Sequence, residues 1–197
     1  MGKEDKREAL NVAFLAGDIL LASGAEIFRV EETIFRIAQA YGVESSDAFV
    51  LSSGIFLTAG NDREADFARV LHIPLSAARL DRVTEVNQLS REIVQGKHTP
   101  AQARERLLEI QNMPGKSKLC QVLASGVGSA CFCFLFGGDW LDSAAAFASG
   151  LLLYLFLLYL VRGRLSKIAS NISGGALVTF CCILLYQCGI GHQLGQM

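Results

Sequence analysis

Charge is nearly absent from the last 79 residues of this 197-residue chain: three Lys or Arg and two Asp stand there, against 15 basic and 17 acidic residues in the first 118. That scarcity argues against a water-soluble tail, because a soluble helix keeps a polar stripe for solvent. Cysteine is missing from the first 119 residues, which excludes a disulfide framework there. All six, Cys120, Cys131, Cys133, Cys181, Cys182 and Cys188, lie in the apolar tail. Cys131 and Cys133 are two apart, about 200° around a helix, so they point to different faces and read as small packing residues rather than a metal site.

Histidine is scarce too, and His72, His98 and His192 have no ligand-spaced partners. The near-balanced charge of the first 118 residues argues against a nucleic-acid partner, which would call for a basic face. There is no phosphate-cradling glycine loop, and Ser52, Ser53 and Gly54, read as part of a strand, lack the spacing of a nucleophile elbow. No internal repeat or low-complexity tract is found. No catalytic set, metal site or cofactor emerges, and enzyme activity is not supported.

What is present is hydrophobic length. Twenty uncharged residues separate Lys118 from Asp139, nineteen separate Asp142 from Arg162, and thirty follow Lys167. A helix needs roughly 20 apolar residues to cross the hydrocarbon core, with its backbone polar groups satisfied internally. The runs predict three spans, over 119–138, 143–161 and 170–190, forming an all-α transmembrane part over 119–190. Lys116 and Lys118 precede the first span, Arg162, Arg164 and Lys167 fill the second turn, and the first turn has Asp139 and Asp142 without a basic residue. The bias predicts a cytoplasmic N-terminal domain and an external first turn, with Trp140 as an interfacial anchor.

Small residues four apart, Ala124 with Gly128, Ser125 with Ser129, Ala144 with Ala148 and Ser170 with Gly174, predict close helix packing in a multi-helix assembly. Gln121, Asn171, Gln187, Asp139 and Asp142 are the polar groups at or inside membrane depth. Such groups face a bundle interior or a pathway, although the two aspartates also suit helix caps in water.

Residues 1–115 read as a separate α+β domain. Asp18 interrupts the apolar stretch near the N-terminus, so 5–22 reads as an amphipathic helix and not a signal peptide. Ile27, Val30, Ile34, Ile37 and Tyr41 trace a second helix closed by Gly42, with Glu26 and Arg29, and Glu32 and Arg36, spaced for surface ion pairs. Residues 47–59 and 66–73 read as the strands of a β-hairpin joined by GNDRE, with Pro74 ending the second. Leu80, Val83, Val86, Leu89 and Ile93 trace a third helix stopped by Gly96. A fourth starts at Thr99 as N-cap with Pro100 first, and ends before Pro114. The expected fold is helices packed on one face of a small hairpin sheet, followed by a short linker and the membrane part.

The segment SGAEIFRVEETIFRIAQAYG, then SSGIFLT, then LDRVTEVNQLSREIVQG, then a first span leading to FGGDWLDS, resembles the threonine/serine exporter family from about residue 22 to 175. The resemblance implies a multi-pass inner-membrane protein with a cytoplasmic N-terminal domain, exporting small polar metabolites such as threonine and serine or a dicarboxylate such as succinate. It implies a larger subunit that works with a small all-helical second subunit, or as a homo-oligomer. It also implies further spans, so that a chain ending at GHQLGQM looks truncated. Glu26, Arg29, Glu31, Glu32, Asn87 and Arg91 are the polar positions it marks as pathway or gating candidates, beside Asp139, Asp142 and Asn171. An ion gradient is the expected driving force, since no nucleotide site is visible. The competing readings are a membrane-anchored hydrolase-like enzyme and a non-transporting membrane adaptor.

Overall fold

A computed structural model describes residues 3–43, 45–61, 64–73, 78–161 and 166–190. The chain divides into two compact units, Met1–Pro114 and Gly115–Met197. His192, Pro74, Arg162, Arg164 and the GHQLGQM terminus lie outside the described residues, as does the middle of GNDRE.

In the first unit, the head, α1 (Lys3–Ala22) and α2 (Ile27–Ala40) precede strands β1 (Ser46–Leu51), β2 (Gly54–Asn61) and β3 (Glu64–His72), and α3 (Leu80–Val94) and α4 (Pro100–Gln111) follow. Helix α1 is the centre of the head. Ala9, Leu10, Val12, Ala13, Phe14, Ala16, Ile19, Leu20 and Leu21 are all buried, and α2, α3, α4 and β2 pack around them. The segment therefore carries the hydrophobicity of a leader because it is a core helix touched from several sides. Each large side chain fully buried there contributes about 1.5–3 kcal/mol of transfer free energy.

The sheet differs from the hairpin expected. It is a three-stranded antiparallel meander, β1-β2-β3, because Ser52 and Ser53 make a tight turn within the stretch expected as one strand. Short hydroxylated residues followed by glycine favour turns over strand continuation. Gly54 then opens β2 opposite His72, where a Cβ would stand 2.9 Å from the Leu71 carbonyl oxygen. Val50, Ile55, Leu57 and Ala59 are buried beneath α1 and α2, while Phe49, Leu51, Phe56 and Val70 are exposed on the other face. Helices α3 and α4 pack mainly on α1, α2 and each other. Among the described residues, the sheet is covered mainly by α1 and α2.

Helix ends follow the sequence closely. Thr99 and Gln102 form a reciprocal capping box with Pro100 in the first turn of α4. Gly96 closes α3 at φ +72°, with its N–H donated to the Ile93 carbonyl and that of Lys97 to the Glu92 carbonyl. Nothing lies within 4 Å of where a Gly96 Cβ would stand, so Gly96→Ala isolates the cost of left-handed backbone. We expect a loss of about 1–2 kcal/mol, read as a lower urea or thermal midpoint of the head.

Arg79 fixes the end of the head. Its guanidinium grips Asp81 at 2.9 and 2.8 Å and donates to the carbonyls of Met113 and Pro114 at 3.2 and 3.1 Å; Arg82 joins on Met113 at 3.1 Å. The hydrogen bonds from Arg79 hold the Asp81 carboxyl down at about 2, from an ordinary 3.8. A depressed folded pKa gives stability that is present above the ordinary carboxylate range and lost as pH falls toward the folded value. Asp81→Asn should therefore remove part of the acid sensitivity of head unfolding between about pH 3.8 and about pH 2.

The second unit holds α5 (Lys118–Leu135), α6 (Trp140–Phe156) and α7 (Lys167–Gln187), and α6 ends in a π-helical turn over Leu157–Val161. Lys118–Leu135, Trp140–Leu160 and Ile168–Gln187 are long and apolar enough to cross a membrane. Helix α5 stops at Leu135 instead of 138 because Gly137 turns the chain at φ +93°. Helix α6 starts three residues earlier than expected because Asp139 caps it. Helix α6 is central, with α5 packed along it most closely and α7 on another side. Cys131 is exposed and Cys133 buried, as their spacing requires, and all six cysteines carry free thiols.

Candidate functional site

In the head, the candidate residues are engaged locally. Glu26 and Arg29 pair at 3.8 Å in solvent, Arg29 lies over the Phe28 ring, and Glu32 pairs with Arg36 on the same exposed face. Glu31 reaches further: its carboxylate accepts the Val50 N–H at 2.9 Å, satisfying a donor of strand β1. Arg91 donates to Gln88 at 2.7 Å, and the Asn87 carbonyl accepts from Ser90. Among the described residues, no hydrogen bond or ion pair joins Asn87 or Arg91 to the group on α2.

In the three-helix unit, Asp139 and Asp142 form a capping box at the start of α6, with Asp142 N–H donated to Asp139 at 2.8 Å and Asp139 N–H to Asp142 at 3.2 Å. Asp142 is fully buried and Asp139 exposed. Asn171 is exposed on α7. The structure brings the two aspartates together and leaves Asn171 apart from them.

A feature the sequence pattern did not isolate runs along α5. Gln121, Ser125, Ser129 and Cys133 recur every four residues and face α6. Tyr154 donates its hydroxyl to Gln121, Ser125 donates to the Gly150 carbonyl at 3.0 Å, and Ser129 presses on Gly150, where a Cβ would stand 2.4 Å from its Oγ. One residue before Gly150, the buried Ser149 approaches Cys182 of α7 at 3.8 Å. A line of hydroxyls, an amide and thiols thus runs through otherwise apolar helices.

The small-residue pairs divide. Ser125 and Ser129, and Gly174 against Leu153, are used within the unit. Ala124 and Ala144 are exposed, and Gly128 has open space beside it. Among the described residues nothing lies within 4 Å of the Gly128 Cβ position, and α6 approaches α5 along the serine face.

A second polar site lies in the head, and it was absent from the candidates. Arg7, Asn11, Phe14 and Asp18 fall on one face of α1, flanked by Arg69 of β3 and Arg104 of α4, and line a groove of about 630 Å³. Arg69 lies on the core-facing side of the sheet, donates to Asn11 at 3.0 Å and stands 4.4 Å from the centre of the Phe14 ring. Beyond that bridge a further cavity of about 820 Å³ opens toward Ser45, Gly60 and Phe67. Burial pushes the Asp18 carboxyl up, with the charge of Arg69 opposing. The signal available in sequence was Asp18 itself, a carboxylate among core residues of one helix.

Three apolar helices of spanning length, tied by buried polar contacts and preceded by a head with its own core, define a multi-span membrane protein. The chain belongs to the threonine/serine exporter family, whose profile matches residues 11–197. It is 25% identical over 192 residues to the "Threonine/serine exporter" of Corynebacterium glutamicum, covering 94% of this chain and 38% of that protein. It is 26% identical over 164 residues to the "Probable succinate transporter subunit YjjP" of Klebsiella aerogenes, covering 78% of this chain and 59% of the relative. The protein of that name in Escherichia coli K12 is 26% identical over 196 residues, covering 94% and 72%. The chain thus spans about two fifths and three fifths of the length of the first two relatives. No solved structure matches it.

Proposed function

We propose that this chain is a subunit of an inner-membrane exporter of small polar metabolites, threonine and serine or a dicarboxylate such as succinate, driven by an ion gradient. The observation that carries the reading is the polar line on α5, closed by Tyr154 and Gly150 of α6. Polar groups are costly at membrane depth and there mark paths or helix contacts. Family membership supports export, and the relatives named as threonine/serine exporter and as succinate transporter subunits support the two cargo classes.

The head lies in the cytoplasm in this reading, since Lys116 and Lys118 flank the first span and Asp139 and Asp142 the first turn. There the head gates the spans or recruits cargo, and Glu26, Arg29, Glu31, Glu32, Asn87 and Arg91 are surface positions through which it would act. Asp139 and Asp142 stand at the external mouth and Asn171 on a face open to a neighbour. The uncovered Ala124, Gly128 and Ala144 suit a second small subunit or another copy, because small residues let helices approach in lipid.

The test is efflux of labelled threonine, serine and succinate from cells lacking their own exporter of this family, with and without the chain and a small all-helical partner. Faster efflux of at least one cargo is expected. Unchanged efflux of all three defeats the proposal.

A further inference from the structure

We propose that the groove along α1 of the head binds a small α-amino acid, with Arg69, Arg7 and Arg104 receiving its carboxylate and Asp18 its ammonium group. That this ligand is cargo rests on the exporter reading; the site rests on the groove alone.

Four features point to a dipolar ligand. The spacing of Arg7, Asn11, Phe14 and Asp18, at four, three and four residues, sets them along one face of α1, and a volume of about 630 Å³ suits a small molecule. Arg69 is held in place by Asn11 and the Phe14 ring, and only one of its five N–H groups is used in that hydrogen bond. A guanidinium fixed in this way offers a fork for a carboxylate at little ordering cost. Among the described residues, Arg7 and Arg104 form no ion pair.

Asp18 supplies the other pole. It is half-buried and makes no hydrogen bond or ion pair among the described residues, so its charge is desolvated without full compensation. A ligand ammonium would provide that compensation. The lining is also balanced: three guanidinium groups stand against Glu4, Glu8 and Asp18. A zwitterion matches such a surface, whereas a dicarboxylate would bring two negative charges toward three carboxylates.

The experiment is equilibrium binding of tritiated L-serine to the purified full chain in detergent, with threonine and succinate as competitors and thermal unfolding recorded for every variant. Saturable binding is expected, displaced by threonine and not by the same excess of succinate. Arg69→Ala and Asp18→Asn should each weaken it about tenfold or more, as expected for loss of a charge-assisted contact. Arg106→Gln should leave it unchanged, since Arg106 pairs with Glu85 and Glu109 outside the groove. If Arg69→Ala unfolds the head, Arg69→Lys and Arg104→Gln replace it, each expected to weaken binding in a folded protein. The inference is overturned by absence of saturable serine binding, by equal displacement with succinate, or by binding that survives the Asp18 and Arg69 substitutions; in the last case Arg69 serves to keep the β3 edge from pairing with other strands. Efflux without serine binding overturns this inference alone, and serine binding without efflux overturns the exporter reading alone.

Discussion

Phe14→Ala is expected to destabilise the head by about 3–5 kcal/mol, the range for removing a buried aromatic ring and leaving its cavity. Phe14 is 1% exposed on the helix around which the head is built. The surrounding contacts come from several elements, so collapse into the void would require more than one of them to move. The ring is also the platform for Arg69 at 4.4 Å, so the substitution releases a guanidinium that the ring and Asn11 now hold. Urea unfolding of the full chain, followed by the ellipticity of the head, measures the loss. A change below about 1 kcal/mol would show that α1 is not the centre of this core.

The second large effect is expected in the three-helix unit. A Cβ at Gly150 would stand 2.4 Å from Ser129 Oγ and 2.9 Å from the Ser125 carbonyl oxygen. The hydroxyl can rotate away; the carbonyl belongs to the α5 backbone and cannot. Gly150→Leu should therefore force α5 from α6 and cost about 1–3 kcal/mol or more, the range for overpacking a close contact. Thermal stability in detergent should fall and efflux should be lost with it. Gly175→Leu is the matched control: nothing lies within 4 Å of its Cβ position, and stability of the isolated chain should hold. Equal losses in the two variants would contradict the close α5–α6 contact.

Much of this architecture was legible because it depends on local rules. Thr99 with Pro100, Gly42 and Gly96 announce helix ends through backbone chemistry acting within a few residues, and the structure places those ends as read. The three apolar runs are legible for a similar reason, since lipid leaves a chain few alternatives to helix. The sheet was harder. A Val, Ile, Phe and Thr-rich stretch looks continuous, and the turn at Ser52 and Ser53 shows only once β1 folds back on β2 with Leu51 opposite Gly54 and the Ser53 carbonyl accepts the Ile73 N–H.

The sites were least legible where they depend on which faces meet. The pair Ser125 and Ser129 was visible as a packing motif, but its extension to Gln121 and Cys133 shows only once α6 is laid along that face. Likewise Asp18 stood out as a carboxylate in an apolar stretch, while Arg69, which lines the same groove, is 51 positions away and is brought there by the pairing of β3 with β2. Glu31 shows the reverse: chosen as one of several charges on α2, it alone among them reaches a strand, at Val50.

In the proposed reading the three apolar helices lie across a bilayer with the head on the cytoplasmic side. The direct measurement replaces the six native cysteines by serine or alanine, installs a single cysteine by Trp140→Cys or by Asn112→Cys, and labels intact cells with a membrane-impermeant maleimide. Trp140, exposed between α5 and the body of α6, should then react from outside, and position 112, at the end of α4, only after the cells are permeabilised. Labelling at 112 in sealed cells, or recovery of the chain in the soluble fraction without detergent, would contradict it.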